Sequence, residues 1–202
     1  MDLIRKIQYL EKELDVKSSP EQLESLVELL PQAKKHDFTE MIDLAHRLAA
    51  LEISDDIFSE IGIIKEFLRE RRLSYDKSFF EDIDEYTTIC IYELPSLYMT
   101  FASRGYYKFN SYPFMVTMHK SFNELYYRDP DYDKMIVDET IQICAGTKAV
   151  AYSVPVHVVK EKYMPTRFNK SYLFGLMKGA PLIKDGELYG IMVSHTTQPL
   201  DN

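Results

Sequence analysis

Residues 170–196 read KSYLFGLMKGAPLIKDGELYGIMVSHT, and the middle of this stretch decides the fold. Two apolar runs, Tyr172–Met177 and Leu188–Val193, flank Lys184-Asp185-Gly186-Glu187. Asp-Gly between apolar runs predicts a two-residue hairpin, because a type I′ turn needs positive φ at both central residues. Pro181 has no N–H to give a ladder and is expected at a strand end or a sheet edge. Gly175 and Gly190 lie inside the runs, where a glycine marks a bulge or a close backbone approach.

Upstream of the hairpin, Ala149–Val159 alternates. Val150, Tyr152, Val154, Val156 and Val158 fall on one face, with Ala151, Ser153, Pro155 and His157 on the other. Lys134–Cys144 has helical spacing, with Gly146 as its C′ stop. Thr87–Tyr92 and Tyr106–Asn110 are β-branched and aromatic and read as the first two strands, with Ser103-Arg104-Gly105 turning between them. Strand, strand, helical segment and three strands predict an α+β fold, a five-stranded antiparallel sheet with helices on one face.

Before Leu73 the apolar period is that of helices. Leu3, Ile7, Leu10 and Leu14 share one face, and Ser19-Pro20-Glu21-Gln22 caps a second helix as a capping box with proline at the first helical position. A third helix carries Met41, Leu44, Leu48 and Leu51. A fourth runs from Ser54 through Ile57, Ile61, Ile64 and Leu68 to Arg69, Arg71 and Arg72. The expected division is a helical N-terminal unit over 1–78 and a sheet unit over 79–202.

Composition narrows the function. Hydrophobic residues make up 46% and aromatic ones 13%, ample for a packed core. Lys and Arg number 24 against 32 Asp and Glu, a net charge of −8 with no basic block, which argues against nucleic acid as a partner. Cys90 and Cys144 form no CxxC, the usage of a reducing cytosol. The N-terminus is amphipathic and charged rather than a signal peptide, and no apolar run approaches the about 18 residues of a membrane span. The expected location is cytoplasmic, away from membranes.

The chemistry-bearing residues form no familiar catalytic order. GxSxG, P-loop and GxGxxG are absent, so an enzyme with an unrecognised site is an alternative without a specific signal. His119, His157 and His195 lack metal-ligand spacing. A plain hydrogen-bonding role is expected of them, and no cofactor follows from the residues. Arg128-Asp129-Pro130-Asp131-Tyr132-Asp133 alternates aspartates but lacks the Gly and Glu of a calcium loop, so it reads as an N-cap and a solvated turn. The chain has 15 Tyr and 11 Phe with no Trp, many of them in Tyr98–Tyr127 beside Met99, Met115 and Met118. Such a lining suits a mostly apolar ligand with one or two polar anchors; a plain core with Tyr hydroxyls at its rim is the competing reading.

Two stretches also carry a family resemblance. Leu176–Ser194 resembles the last two strands of a PAS sensor domain, where a lysine–proline step leads into a D/N-G turn and an x-x-G-I-x-x-S run. Gly105-Tyr106-Tyr107-Lys108-Phe109-Asn110 is similar to that family's second strand, which ends in Asn. The resemblance covers about residues 83–197. It implies a non-catalytic signalling protein that senses a small apolar ligand and interacts with a signalling partner or with itself. The implied ligand-binding residues, between sheet and helical side, are Tyr107, Phe109, Asn110, Met118, His119, Tyr152, Phe174 and Met177. Haem ligation by His119 or His157 is implied only by this resemblance, since some PAS domains bind haem. PAS domains pair through a helix N-terminal to the sheet, which makes the Leu3–Leu14 stripe the expected homodimer surface. With Asn202 directly after the last strand, the output is expected through such a contact. Separately, Leu44-Ala45-His46-Arg47-Leu48 resembles a histidine phosphotransfer helix, in which His46 would accept phosphate. Ala49-Ala50 stand where that family has Lys-Gly, and an ordinary polar helix residue is the alternative.

Overall fold

The computed structural model describes Arg5, Gln8 and residues 57–112, 114–117, 120–162 and 169–200. The three helices expected before Ser54, the Leu3–Leu14 stripe and His46 lie outside the described residues.

The Asp-Gly hairpin is the spine of a seven-stranded antiparallel sheet. Strands β6 (Ser171–Lys184) and β7 (Glu187–Leu200) meet at Asp185 and Gly186, whose φ values of 52° and 87° are both positive, as the type I′ turn demands. β2 (Thr87–Glu93) pairs with the far edge of β7, and β3 (Tyr98–Ala102) with β2. On the other side, β5 (His157–Glu161) pairs with β6 and β4 (Tyr126–Arg128) with β5. The order is β3-β2-β7-β6-β5-β4, and the two-residue β1 (Leu73–Ser74) adds to the distal end of β6. Gly190 fits between strands because a Cβ there would collide with the carbonyl oxygen of Tyr92. Pro181 sits within β6 opposite Ile191, between the bridge of Lys178 to Ala151 and the pairing of Ile183 with β1. On that flank its missing N–H deprives no partner among the described residues.

Helices cover both faces. α1 (Ile57–Glu70) and the 3-10 turn Lys77–Phe80 lie on one. Ile64, Phe67, Leu68, Leu73 and Phe79 there pack with Ile89, Ile91, Ala180, Leu182 and Met192. The opposite face carries α2 (Arg104–Phe109), α3 (Phe114–Thr117), α4 (Phe122–Leu125) and α5 (Pro130–Cys144). Tyr106, Tyr112, Leu125 and Tyr126 pack there with Cys90, Tyr92, Tyr172, Phe174 and Val193. Strand period two sends Ile89 and Ile91 to one core and Cys90 and Tyr92 to the other, so the middle of β2 is a continuous apolar run, as a doubly covered strand requires. Each such side chain contributes roughly 1.5–3 kcal/mol by its burial. The expected boundary at 78/79 falls inside the first cluster, with Leu73 and Phe79 on the same sheet face.

The mixed helix-and-sheet class is as expected; four details differ. The sheet has seven strands rather than five, and helices lie on both faces. The second strand is Tyr98–Ala102, while Tyr106–Asn110 forms most of α2 and its cap. Tyr106 is buried and Phe109 packs against the same core one turn on, so helical spacing outweighs the β-propensity of a Tyr-Tyr-Phe segment. Ala149–Val159 is not one strand. Residues 151–156 hold only isolated contacts to β6, and from His157 the buried set is His157, Val159 and Glu161, with Val156 and Val158 62% and 52% exposed. Pro155, without an N–H, interrupts the ladder, and buried His157 follows buried Val154 by three positions, an odd step that exchanges the faces.

Candidate functional site

The second core does not close completely. α5 begins at Asp129, whose carboxylate accepts the N–H of Asp131 (3.0 Å), with Pro130 in the first turn and Asp131 and Asp133 favoured there by the helix dipole. It ends at Ala145 and Gly146, where φ is 70°. Asp133, Ile136, Val137, Thr140 and Ile141 recur at helical spacing and face the sheet residues Tyr92, Leu176, Ile191 and Val193 across a cleft of about 350 Å³. Phe122, Arg128 and Phe174 form part of its wall, and Leu94, Ser96 and Leu97 of the β2–β3 turn another part. Its size lies in the range of small-molecule sites, and its lining is mostly apolar. The Tyr152 hydroxyl and Thr140 Oγ1 share a hydrogen bond of 2.7 Å, and burial pushes the Tyr152 phenol up to about 12.

The charged group of this wall is Arg128. Its side chain is 6% exposed; Nη1 donates to Asp133 Oδ1 at 3.0 Å, and Phe122 and Phe174 present their rings 4.2 and 5.3 Å from the guanidinium carbon. Behind Phe174 lie two buried histidines. His195 stacks on it with centroids 4.7 Å apart, approaches Cys90 Sγ at 3.5 Å, and is held down to about 3 by burial and by the Arg128 charge. His157 stacks on Tyr132 at 4.4 Å, and its Nδ1 meets the Pro155 carbonyl at 2.8 Å. A carbonyl only accepts, so Nδ1 carries the proton; Nε2 is buried without a partner among the described residues. Burial pushes the Cys90 thiol upward, so it is no ready nucleophile.

The expected ligand residues divide. Tyr152 and Phe174 line the cleft. Phe109 and Asn110, again with Phe174, line a separate void of about 20 Å³, room for about one water. Around this void the described side chains pack closely. Tyr106 and Tyr126 join hydroxyls at 3.0 Å, and the fully buried Tyr112 donates to the Leu125 carbonyl. Asn110 caps α2, its Nδ2 donating to the Tyr106 carbonyl at 2.6 Å. Met177 is absent from either lining; its carbonyl accepts the Tyr152 N–H, and its sulfur lies 3.9 Å from Thr87 Oγ1. Tyr107 is on α2, with its side chain outside the described set, as are Met118 and His119 entirely.

Sequence reasoning missed Arg128 and Asp133 as a buried pair, because an Arg five residues before an Asp across a helix N-cap has no periodic signature. It also missed Glu161, fully buried, which accepts the Ser111 N–H (2.7 Å), the Lys170 N–H (3.0 Å) and the Tyr172 hydroxyl (2.6 Å), tying three segments together. Among the described residues no cluster of His, Cys, Asp and Glu could hold a metal, and no helix is long and apolar enough to cross a membrane. No family model, curated protein or solved structure matches the chain.

Proposed function

We propose that this protein is a PAS-like sensing module that takes a small, mostly apolar molecule into the cleft between α5 and the sheet. It answers through a signalling partner or a second copy. The observation that carries the reading is the cleft itself: about 350 Å³ of mostly apolar space between α5 and the sheet, against about 20 Å³ in the void beside Phe109. The chain order of β2, β3, a helical stretch interrupted by the short β4, then β5, β6 and β7 supports the PAS resemblance, although Gly105–Phe109 is helical rather than its second strand. Binding rather than catalysis is proposed because Arg128 and Asp133, the charged side chains of the lining, are engaged with each other. Val137 and Ile141 line the cleft yet are 49% and 60% exposed, so they form its mouth. A bound molecule would reshape the outer surface of α5 there, which is a direct route from ligand to partner.

The test is native purification followed by extraction and mass spectrometry, beside the same procedure on Val137→Trp, which fills the mouth. A small organic molecule is expected from the parent and not from the variant, with both folded alike by circular dichroism. Equal recovery from both proteins would place the molecule elsewhere and overturn the cleft as the site.

A further inference from the structure

The wall of the cleft points to the chemical class of its ligand. A guanidinium carries five N–H donors and remains charged in proteins, so burying it demands acceptors. Arg128 is 94% buried by side chain, and among the described residues one acceptor meets it: Asp133 Oδ1, at Nη1. Its Nε is buried and has no hydrogen-bond partner among the described residues. The rings of Phe122 and Phe174 stabilise the charge without satisfying its donors. Burial accordingly pulls the guanidinium below its usual range, and Asp133 offsets this only in part. A planar fork with donors to spare, on the wall of an otherwise apolar cleft, matches a carboxylate in shape and charge.

Resting on the proposed cleft reading, we infer that the ligand is a small monocarboxylic acid with an aromatic or branched aliphatic body. Its carboxylate pairs with Arg128 and its body lies along Ile136, Thr140, Leu176 and Ile191. A monoanion is favoured over a phosphate because Arg128 is the lone cation among the described lining residues and is already half engaged by Asp133. Asp133, with a third of its side chain exposed, can turn to water as the ligand's carboxylate takes its place. Thr140 lies seven residues along α5 from Asp133, about 10 Å at 1.5 Å per residue, and with the Tyr152 hydroxyl bonded to it supplies a polar group for the far end of the body.

The experiment is calorimetric titration of the full chain with phenylpropanoate and with octanoate, each beside its primary amide. The acids are expected to bind at least about tenfold more tightly than the amides, the value of a hydrogen bond to a charged group. Asp133→Asn keeps the side-chain volume and removes the competing charge. It should tighten the acids severalfold and leave the amides alone. Arg128→Gln should erase the acid preference where it folds; Asp133→Asn decides the question where it does not. Acids and amides bound equally, with Asp133→Asn without effect, would overturn the carboxylate assignment while leaving the cleft intact. If no acid or amide binds and native extraction recovers nothing from the parent, the cleft reading falls, and this inference with it.

Discussion

Phe174 is the side chain on which most of the site leans. It touches His195, Phe122 and His157 at centroid distances of 4.7, 5.4 and 5.6 Å and lies under Arg128. Phe174→Ala is therefore expected to cost about 3–5 kcal/mol in urea unfolding; a loss below about 1 kcal/mol would mean that the neighbours collapse into the space. His195 gives the fold an acid sensitivity. Its pKa is about 3 in the fold against 6.5 ordinarily, so between these values the unfolded chain holds a proton that the native state does not. The stabilisation is complete above 6.5 and is lost as pH falls toward 3, at about 1.4 kcal/mol per pH unit. Between about pH 6 and about pH 4 the parent should lose roughly 2–3 kcal/mol more than His195→Gln, and parallel curves would contradict this. Little of this was legible beforehand. Tyr152 and Phe174, expected at a ligand site from their place in alternating apolar runs, do line the cleft. Arg128 sits in a run of aspartates whose local capping role, confirmed at Asp129, conceals the residue that turns inward.

At the scale of elements, the glycines rank by what surrounds them. Gly190→Ala puts a Cβ against the Tyr92 carbonyl, backbone that cannot yield without parting β2 from β7. Gly186→Val places a β-branched residue at φ 87° in open space, costing about 1–3 kcal/mol. Gly62→Ala, exposed in α1 with nothing within 4 Å, should stabilise by about 0.5–1 kcal/mol. Thermal melts of the three should fall in that order, Gly190→Ala lowest and Gly62→Ala above the parent. The hairpin was readable because Asp-Gly specifies a turn through covalent geometry alone. β3 and α2 were not, because both segments mix Tyr and Phe, and which becomes helix depends on a core to which both must fit. The unbroken alternation expected over Ala149–Val159 fails for the same kind of reason: alternation carries phase only while the ladder is continuous, and Pro155 interrupts it.

For the molecule as a whole, a sheet sandwiched between two helical layers could not be inferred from apolar periodicity in β2, since a continuous run such as Thr87–Tyr92 reads alike in a one-sided and a two-sided sheet. What joins the layers is the pairing of Thr87–Glu93 with Gly190–Thr196. The hairpin closes over two residues, whereas β2 must find a strand from the opposite end of the sheet-forming sequence, with four helices and four strands between them among the described residues. Separation of this kind sets the speed of folding, and it splits the molecule in time. β6 and β7 are available as an early nucleus, and docking of β2 completes both cores late. Gly186→Val should therefore slow refolding in stopped-flow measurements. Ile89→Val, a cavity at the β2–β7 seam, should leave refolding nearly unchanged and hasten unfolding instead. The reverse pattern would make the long-range seam the nucleus. With the expected one, the half-built protein is an open hairpin with two uncovered apolar faces, and its exposure to aggregation lasts as long as β2 takes to arrive.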